Sequence, residues 1–579
     1  MQSRADLIER VRAGAGDGGV LIIGGGINGV GVLRDLARQG VPALLVDRGD
    51  FACGTSAAPS RLIHGGLRYL ETGEFALVRE SVEERNLLLL NAPHQVSPLP
   101  VWIPTFSWAG GAFSAALRFL RLRRTPGPKG AAVIRLGLGI FDRFGEFQRT
   151  MPRHRAVPMK EARGRFPMLS ARVKAVLEYY DARISSPERL TVELVGDAER
   201  DCPAAMAIPY FAVAGRAENG AVLLRDEISG ETLTVRPRIV VNCAGAWVDP
   251  VDEMLGVSER LTGGTKGSHL VLDRPDLAEA LGPAMLYFET HDHRACLVYR
   301  LDGGMVMLGT TDLRVEDAED ALCSEAEIDY LFTVLEEVLP GSAPRREEIV
   351  FTVAGVRPLP RSAAGATGAI SRDHSLRRFE AEGARPYPIL TLVGGKWTTY
   401  RACAAQIADA VLGELGVARR EDTKSLPIGG GADYPVKETE REAIATRLAA
   451  ESGLAPDRAK LLLARYGMTA FEIGRAARGA FTPLDGAEDY SVEEIRWIIA
   501  NERVTRLDDL ILRRTLIAFD GRAGVRVARA LAAILAEALG WDDARREAEI
   551  GGSLTLLRAR HHVVVHEPEA QDDAKHAVG

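Results

Sequence analysis

The chain has 579 residues, of which 46% are apolar and 26% charged. That balance excludes a disordered chain, a collagen and a disulfide scaffold, and the length suits roughly three to five domains. Lys+Arg is 72 and Asp+Glu is 79, so the net charge of −7 gives no reason to expect a nucleic-acid partner. Met1 to Asp17 carries Asp6, Glu9 and Asp17 and lacks the apolar run of a signal peptide. Val20 to Ile23 reads as a short buried strand, Asn28 to Gln39 as a helix stopped by Gly40, and Val41 to Val46 as a second buried strand. Between the first strand and the helix stands Gly24-Gly25-Gly26-Ile27-Asn28-Gly29, a G-x-G-x-x-G. In such a turn Gly24 permits the tight bend, Gly26 lets the backbone approach a pyrophosphate, and Gly29 lets the helix pack on the strand. Asp47, at the end of the second strand, is placed to accept hydrogen bonds from a ribose. The motif alone does not separate NAD from FAD.

Residues 85–141 contain no Asp or Glu but hold Arg85, Arg118, Arg121, Arg123, Arg124, Lys129 and Arg135. Val101-Trp102-Ile103-Pro104, Phe106, Trp108, Phe113, Leu117 and Leu120 lie among them. Two readings stand: a surface that docks on an anionic membrane, or a basic helix packing Leu117 and Leu120 on the core. Ile239 to Asn242 is another buried strand, followed by the small residues Cys243-Ala244-Gly245-Ala246 and then Trp247. Ser268 to Asp312 alternates as a β-sheet layer. Pro388 to Val393 reads as a strand, and Gly394-Gly395-Lys396-Trp397-Thr398-Thr399 opens a helix to about Leu412. Leu426-Pro427-Ile428-Gly429-Gly430-Gly431 reads as a linker. Beyond it, helices are expected at Glu438 to Ser452, Pro456 to Tyr466, Val492 to Asn501 and Val525 to Leu539. No stretch of 18 apolar residues suggests a spanning helix. The six cysteines form no C-x-x-C pair, which suits a reducing compartment, and Cys53 reads as a small buried residue near a cofactor. His291 and His293 form an H-x-H without a third ligand in view, so no metal is expected; His561 and His562, toward the tail, are read as having no specific role.

Chain-long, from about 18 to about 545, the sequence resembles the FAD-dependent, quinone-linked glycerol-3-phosphate dehydrogenases. The resemblance rests on the glycine turn, Cys53-Gly54-Thr55-Ser56 and Arg61-Leu62-Ile63-His64-Gly65-Gly66-Leu67-Arg68-Tyr69-Leu70-Glu71. It continues at Lys266-Gly267-Ser268-His269, Gly309-Thr310-Thr311-Asp312, Gly355-Val356-Arg357-Pro358-Leu359, Ser371-Arg372-Asp373 and Gly394-Gly395-Lys396. Asp508-Asp509-Leu510 with Arg513-Arg514-Thr515 resembles the family's helical tail. Ala58 and Pro59 stand where the family has Ser, Arg61 where Lys is common, and Asp47 where Glu is usual.

The resemblance implies an α/β plus α architecture. A Rossmann-like FAD-binding domain of the D-amino-acid-oxidase-like superfamily joins a mixed β-sheet substrate domain and an all-helical C-terminal domain. Residues 18–425 would form the oxidoreductase region. Its FAD-binding parts lie at about 18–100, 145–260 and 345–415, and its substrate sheet at about 261–345. The helical domain would be 426–566 and a flexible tail 567–579. Implied cofactor contacts are Gly24, Gly26, Ile27, Asn28, Gly29, Asp47, Arg48, Thr55, Ser56, Ser60, Leu62, His64, Ala244, Gly245, Trp247, Gly355, Gly395, Lys396, Trp397 and Thr398.

The implied reaction oxidises glycerol 3-phosphate to dihydroxyacetone phosphate, passing hydride to flavin and electrons to a quinone. His64, Arg357 and Lys396 would be catalytic, with Arg68, Tyr69, Arg357, Arg372 and Lys396 on the substrate. Arg357, read as sitting on a turn, and Arg372 would clamp the phosphate. His64 is the candidate base, or else a hydrogen-bond partner of the flavin; Gly65 and Gly66 would let a ligand approach it. Lys396, read at a helix start, would favour the anionic reduced flavin. Expected surroundings are the cytoplasmic face of the cytoplasmic membrane, held peripherally, with a homodimer as a further expectation. Alternatives are a dehydrogenase of another polyol phosphate, an oxygen-using glycerophosphate oxidase, and a non-catalytic membrane-docked flavoprotein.

Overall fold

The computed structural model describes residues 1–70, 73–108, 130–145, 150–290, 292, 294–361 and 373–564. Its first layer, among the described residues, is a six-stranded sheet ordered Ser375–Phe379, Ile389–Val393, Ile239–Asn242, Val20–Ile23, Ala43–Val46, Ala205–Ile208. Only the Ser375–Phe379 edge runs antiparallel. The inner strands are buried on both faces, which is why they read as unbroken apolar runs rather than alternations. Helices Ile27–Arg38, Pro187–Asp201 and Tyr400–Leu415 pack together beside this sheet, with Val30, Leu33, Leu190, Val195 and Ile407 in one core.

The second layer, among the described residues, is a ten-stranded mixed sheet built around the pair Thr262–Leu272 and Ile349–Pro360. It extends beyond the 261–345 segment, because Val96–Thr105 and Ala175–Ile184 join it in a long antiparallel pair. Pro98, Pro100 and Pro104 hide the first of these in the sequence, since proline cannot donate to a ladder. Val101, Trp102 and Ile103 are buried in this sheet, and the Arg85 guanidinium is paired with buried Asp181 at 2.8 Å. Those members of the 85–141 block are therefore structural. Phe106, Trp108 and Leu136 are exposed, Trp108 at 65% and Leu136 at 71%. Residues 109–129, with Arg118, Arg121, Arg123, Arg124 and Lys129, lie outside the described residues.

The C-terminal part is helical. Glu438–Ser452, Pro456–Tyr466, Val492–Asn501 and Val525–Leu539 form where the apolar period places them. Ala470–Ala477 and Asp543–His561 add to them. Leu448, Leu462, Tyr466, Ile498, Leu531 and Leu535 make its core. Gly429, Gly430 and Gly431 are not a loose linker: a Cβ on Gly430 would lie 1.9 Å from the Tyr466 carbonyl oxygen, and one on Gly431 2.4 Å from that of Asn91.

Buried ion pairs join this part to the rest. Arg514 and Arg513 converge on Asp50 at 2.7 and 2.6 Å, Arg189 meets Glu502 at 2.7 Å, and Arg503 meets Glu199 at 2.8 Å. Burial alone would raise the Asp50 carboxyl; the two guanidiniums outweigh it and hold it below its usual range. His561, read as having no specific role, has a structural one. It ends the last helix, stacks on Phe351 at 4.4 Å between ring centroids, and bonds through Nδ1 to the Thr352 carbonyl at 2.8 Å. His562 Nδ1 lies 3.2 Å from Thr352 Oγ1. Among the described residues no helix is long and apolar enough to cross a membrane, and no cluster of metal-ligating side chains is found. His291 and His293 lie outside them.

Candidate active site

Strand Val20–Ile23 ends at Gly24, whose φ of +110° only glycine takes readily. A Cβ there would lie 2.5 Å from the Cys243 carbonyl oxygen, and one on Gly29 would lie 2.0 Å from that of Gly24. So Gly24 and Gly29 do the packing the motif predicts. Gly26 is the N-cap of helix Ile27–Arg38, without a side-chain cap and without an acid in the first turn. Such an end offers backbone N–H groups and a positive dipole to an anion. Asp47 accepts the N–H of Gly25 at 2.6 Å and of Gly49 at 2.8 Å, so it braces the turn as well as facing the site.

This end opens into a cavity of about 630 Å³, within the usual range for small-molecule and cofactor sites. Of the implied cofactor residues, Gly24, Gly26, Ile27, Asn28, Asp47, Arg48, Thr55, Ser56, Ser60, Leu62, His64, Ala244, Gly245, Trp247, Gly355, Gly395, Lys396, Trp397 and Thr398 line it, and Gly29 lies behind. His64, Tyr69, Arg357 and Lys396 line the same cavity. Arg68 is half-buried and is not part of the lining, and Arg372 lies outside the described residues. Cys53 lines the cavity, near the cofactor as read, with its side chain facing the cavity.

Three local readings change. Arg357 sits within strand Ile349–Pro360, opposite Thr265, not on a turn; Pro358 is tolerated because the strand is an edge. Its guanidinium lies across Gly267, where a Cβ would be 2.1 Å from Nη2. Asp312 Oδ1 accepts from Nη1 at 3.1 Å, and Thr310 Oγ1 lies 3.5 Å from Nη2. Lys396 precedes helix Tyr400–Leu415 rather than starting it. It donates to Ser81 Oγ at 2.7 Å and lies 4.8 Å from the centre of the Tyr69 ring. Gly65 and Gly66 make room for protein, not ligand: a Cβ on Gly65 would lie 2.5 Å from Phe141, and one on Gly66, at φ +74°, 2.5 Å from Tyr69. Asp181 pins the same turn by accepting the Gly65 N–H at 2.9 Å.

His269 is the residue to which sequence reasoning gave no role. It is buried, lines the cavity, and shares a 2.7 Å hydrogen bond with Ser60 Oγ through Nε2. Burial, then the charge of Arg357, push its pKa down to about 3, so the ring is neutral at physiological pH. Strand alternation carried the signal. In Lys266-Gly267-Ser268-His269, Gly267 and His269 share the cavity face, while Lys266 and Ser268 bond Glu327 on the other.

The fold and the cavity define a dinucleotide-dependent oxidoreductase with a separate helical domain. Residues 19–401 match the family of FAD dependent oxidoreductases, and residues 421–546 match the C-terminal domain of alpha-glycerophosphate oxidase. The chain therefore belongs to the FAD dependent oxidoreductase family, in the branch of the glycerol-3-phosphate dehydrogenases, and its cofactor is FAD. It is 35% identical over 526 residues to a glycerol-3-phosphate dehydrogenase of Synechocystis, covering 86% of this chain and 88% of that one. It is 31% identical over 510 residues to the D-erythritol 1-phosphate dehydrogenase of Brucella abortus, covering 86% and 93%. The fold matches that of the Bacillus halodurans glycerol-3-phosphate dehydrogenase crystallised with FAD, with a TM-score of 0.74 at 22% identity over 97% and 98% of the chains.

The residues present fit that cofactor. The helix end, whose N-cap Gly26 brings no side chain and where Ser56 Oγ accepts the Ile27 N–H at 3.0 Å, suits its pyrophosphate, and Asp47 suits its ribose. Asn28 Oδ1 and Trp397 Nε1 are buried polar atoms without a hydrogen-bond partner, on residues that line the cavity. Such atoms are costly unless a ligand satisfies them.

Proposed function

We propose that this protein oxidises sn-glycerol 3-phosphate to dihydroxyacetone phosphate and delivers the electrons to a quinone. The observation that carries this reading is the joint presence of Arg357, Lys396, His64, Tyr69 and His269 on the wall of the FAD cavity. FAD, when bound, supplies the hydride acceptor. Arg357 offers the planar guanidinium that phosphate geometry favours, and Asp312 aims it. Lys396 adds positive charge at a site shielded by the Tyr69 ring, where charge developing during reduction is stabilised. The C2 hydroxyl loses its proton to His64. His269, at about 3, is too weak a base for that task, so with Ser60 it orients the hydroxyl.

Anaerobic addition of glycerol 3-phosphate should bleach the flavin absorbance of the purified protein. An oxidised spectrum that persists with this substrate overturns the reading. D-Erythritol 1-phosphate is the competing substrate to run beside it, and faster bleaching by that compound would reassign the substrate within the same chemistry.

Peripheral attachment to the cytoplasmic membrane is part of the proposal. Exposed Trp108 and Leu136 flank the basic segment that holds Arg118, Arg121, Arg123 and Arg124. An exposed aromatic and an exposed aliphatic side chain, with four arginines between them in the sequence, suit an anionic bilayer surface. Flotation with anionic liposomes should be salt-sensitive and should fall when the four arginines are neutralised. Unchanged flotation removes this attachment.

A further inference from the structure

Glu319 lies on the wall of the FAD cavity, at the end marked by Asp47. The backbone fixes that end: the Phe211 N–H donates to the Asp47 carbonyl at 2.7 Å, and the Tyr210 N–H to that of Gly49 at 2.8 Å. Glu319 sits on the single turn Ala318–Asp320, and Asp317 sets the turn by accepting the Glu319 N–H at 2.9 Å. Its carboxylate gathers donors from distant parts of the chain. Arg48 Nη2 lies at 2.5 Å, Trp247 Nε1 at 2.8 Å and Arg560 Nη2 at 3.8 Å. The Arg48 guanidinium also lies over the Trp247 ring at 4.5 Å. Arg48 and Trp247 follow the carboxyl ends of strands Ala43–Val46 and Ile239–Asn242, the ends at which dinucleotides bind in such sheets. Arg560 comes from the last helix.

None of these side chains belongs to a core. Arg48 is 54% exposed, Arg560 48% and Glu319 47%, so the cluster bridges structural units that other contacts already hold together. Burial raises the Glu319 carboxyl, but the bonds from Arg48 and Trp247 outweigh it and keep the group ionised at neutral pH.

We propose that Glu319 is a latch across the adenosine end of the FAD cavity. It ties Arg48 and Trp247 of the first sheet to Arg560 of the helical domain, and it must open before FAD can leave. The latch rests on FAD being the cofactor and is independent of which substrate the enzyme takes. Exposed ion pairs are individually weak, but here one carboxylate orders its partners at once, and the ring beneath Arg48 holds the guanidinium in place. Charges this exposed are screened by salt.

The test is FAD release from the holoenzyme on dilution, followed by the rise in flavin fluorescence, in wild type and in Glu319→Gln. At low salt, Glu319→Gln should release FAD about five- to tenfold faster. The gap should close to less than about twofold near 1 M NaCl. Glu537→Gln, which breaks the exposed Arg496–Glu537 pair on the helical domain, should release FAD at the wild-type rate. Equal release from Glu319→Gln and wild type at low salt overturns the latch. So does an equal acceleration in Glu537→Gln, or a loss of melting temperature in the flavin-free Glu319→Gln protein as large as in its holo form.

Discussion

Gly267→Ala is the sharpest probe of the phosphate site, because it moves one guanidinium and leaves its charge in place. A Cβ built on Gly267 lies 2.1 Å from Arg357 Nη2, 2.7 Å from Cζ and 2.8 Å from Nη1. Ordinary carbon–nitrogen contact needs about 3.5 Å or more, so the guanidinium must retreat by more than an ångström. The obstacle is the far end of a flexible side chain, and Gly267 does not have a positive φ. The strand can therefore keep its register with Gly355 while Arg357 swings away. Charge-assisted hydrogen bonds contribute about 1.5–3 kcal/mol each. Losing a bidentate pair to phosphate would cost at least about 3 kcal/mol, or a factor of about 10² in kcat/KM. The assay is steady-state oxidation of glycerol 3-phosphate with an artificial dye as acceptor, with the flavin content checked by absorbance. FAD should stay bound, since the glycine turn is untouched, and Arg357→Ala should show a loss of the same order. A Gly267→Ala enzyme within threefold of wild-type kcat/KM would remove Arg357 from the substrate site.

Two further expectations concern stability. Asp50→Asn removes the carboxylate that Arg513 and Arg514 share, leaving Arg513 with Asp508 and Asp509 and Arg514 with Glu502; breaking a buried pair costs up to about 3–5 kcal/mol. Urea denaturation should show that loss, and one below about 1 kcal/mol would mean the pair does not hold the helical domain. Acid should weaken the fold through His269 and His561, which burial pushes down to about 3 and about 4 from 6.5. Both are neutral when folded, while the unfolded chain binds protons there below 6.5. Stability is thus full above pH 6.5 and is lost as pH falls toward about 4 for His561 and about 3 for His269. Each withheld proton is worth up to about 1.4 kcal/mol per pH unit. His561→Gln should flatten the decline between pH 6 and 4.5, and stability curves that stay parallel to wild type contradict the argument.

Local signals in the sequence told the truth where one segment decides its own structure. The glycine turn and the helices from Glu438 to Leu539 are such cases, since apolar period and a glycine stop are enough; Gly453 and Gly540 end two of those helices at φ +75° and +69°. Arg357-Pro358 misled because a proline suggests a turn, yet an edge strand needs no donor there. Lys396 misled because four residues of irregular chain separate the glycines from the helix. His269 stayed without a role because its meaning depends on Ser60, Arg357 and Gly309 gathered around it; a Cβ on Gly309 would lie 2.1 Å from its ring. The Asp50 cluster was out of reach for the same reason, since its arginines stand 463 and 464 positions away along the chain.

The cavity wall includes Ile23 near one end of the chain and His561 near the other. During synthesis, at about 5–20 residues per second, the glycine turn therefore waits roughly half a minute to two minutes for the last of its walls. In that interval Asp50 lacks Arg513 and Arg514, and Glu319 lacks Arg560. The wall of this cavity is thus completed by contacts between segments more than 500 positions apart, and it closes late in synthesis.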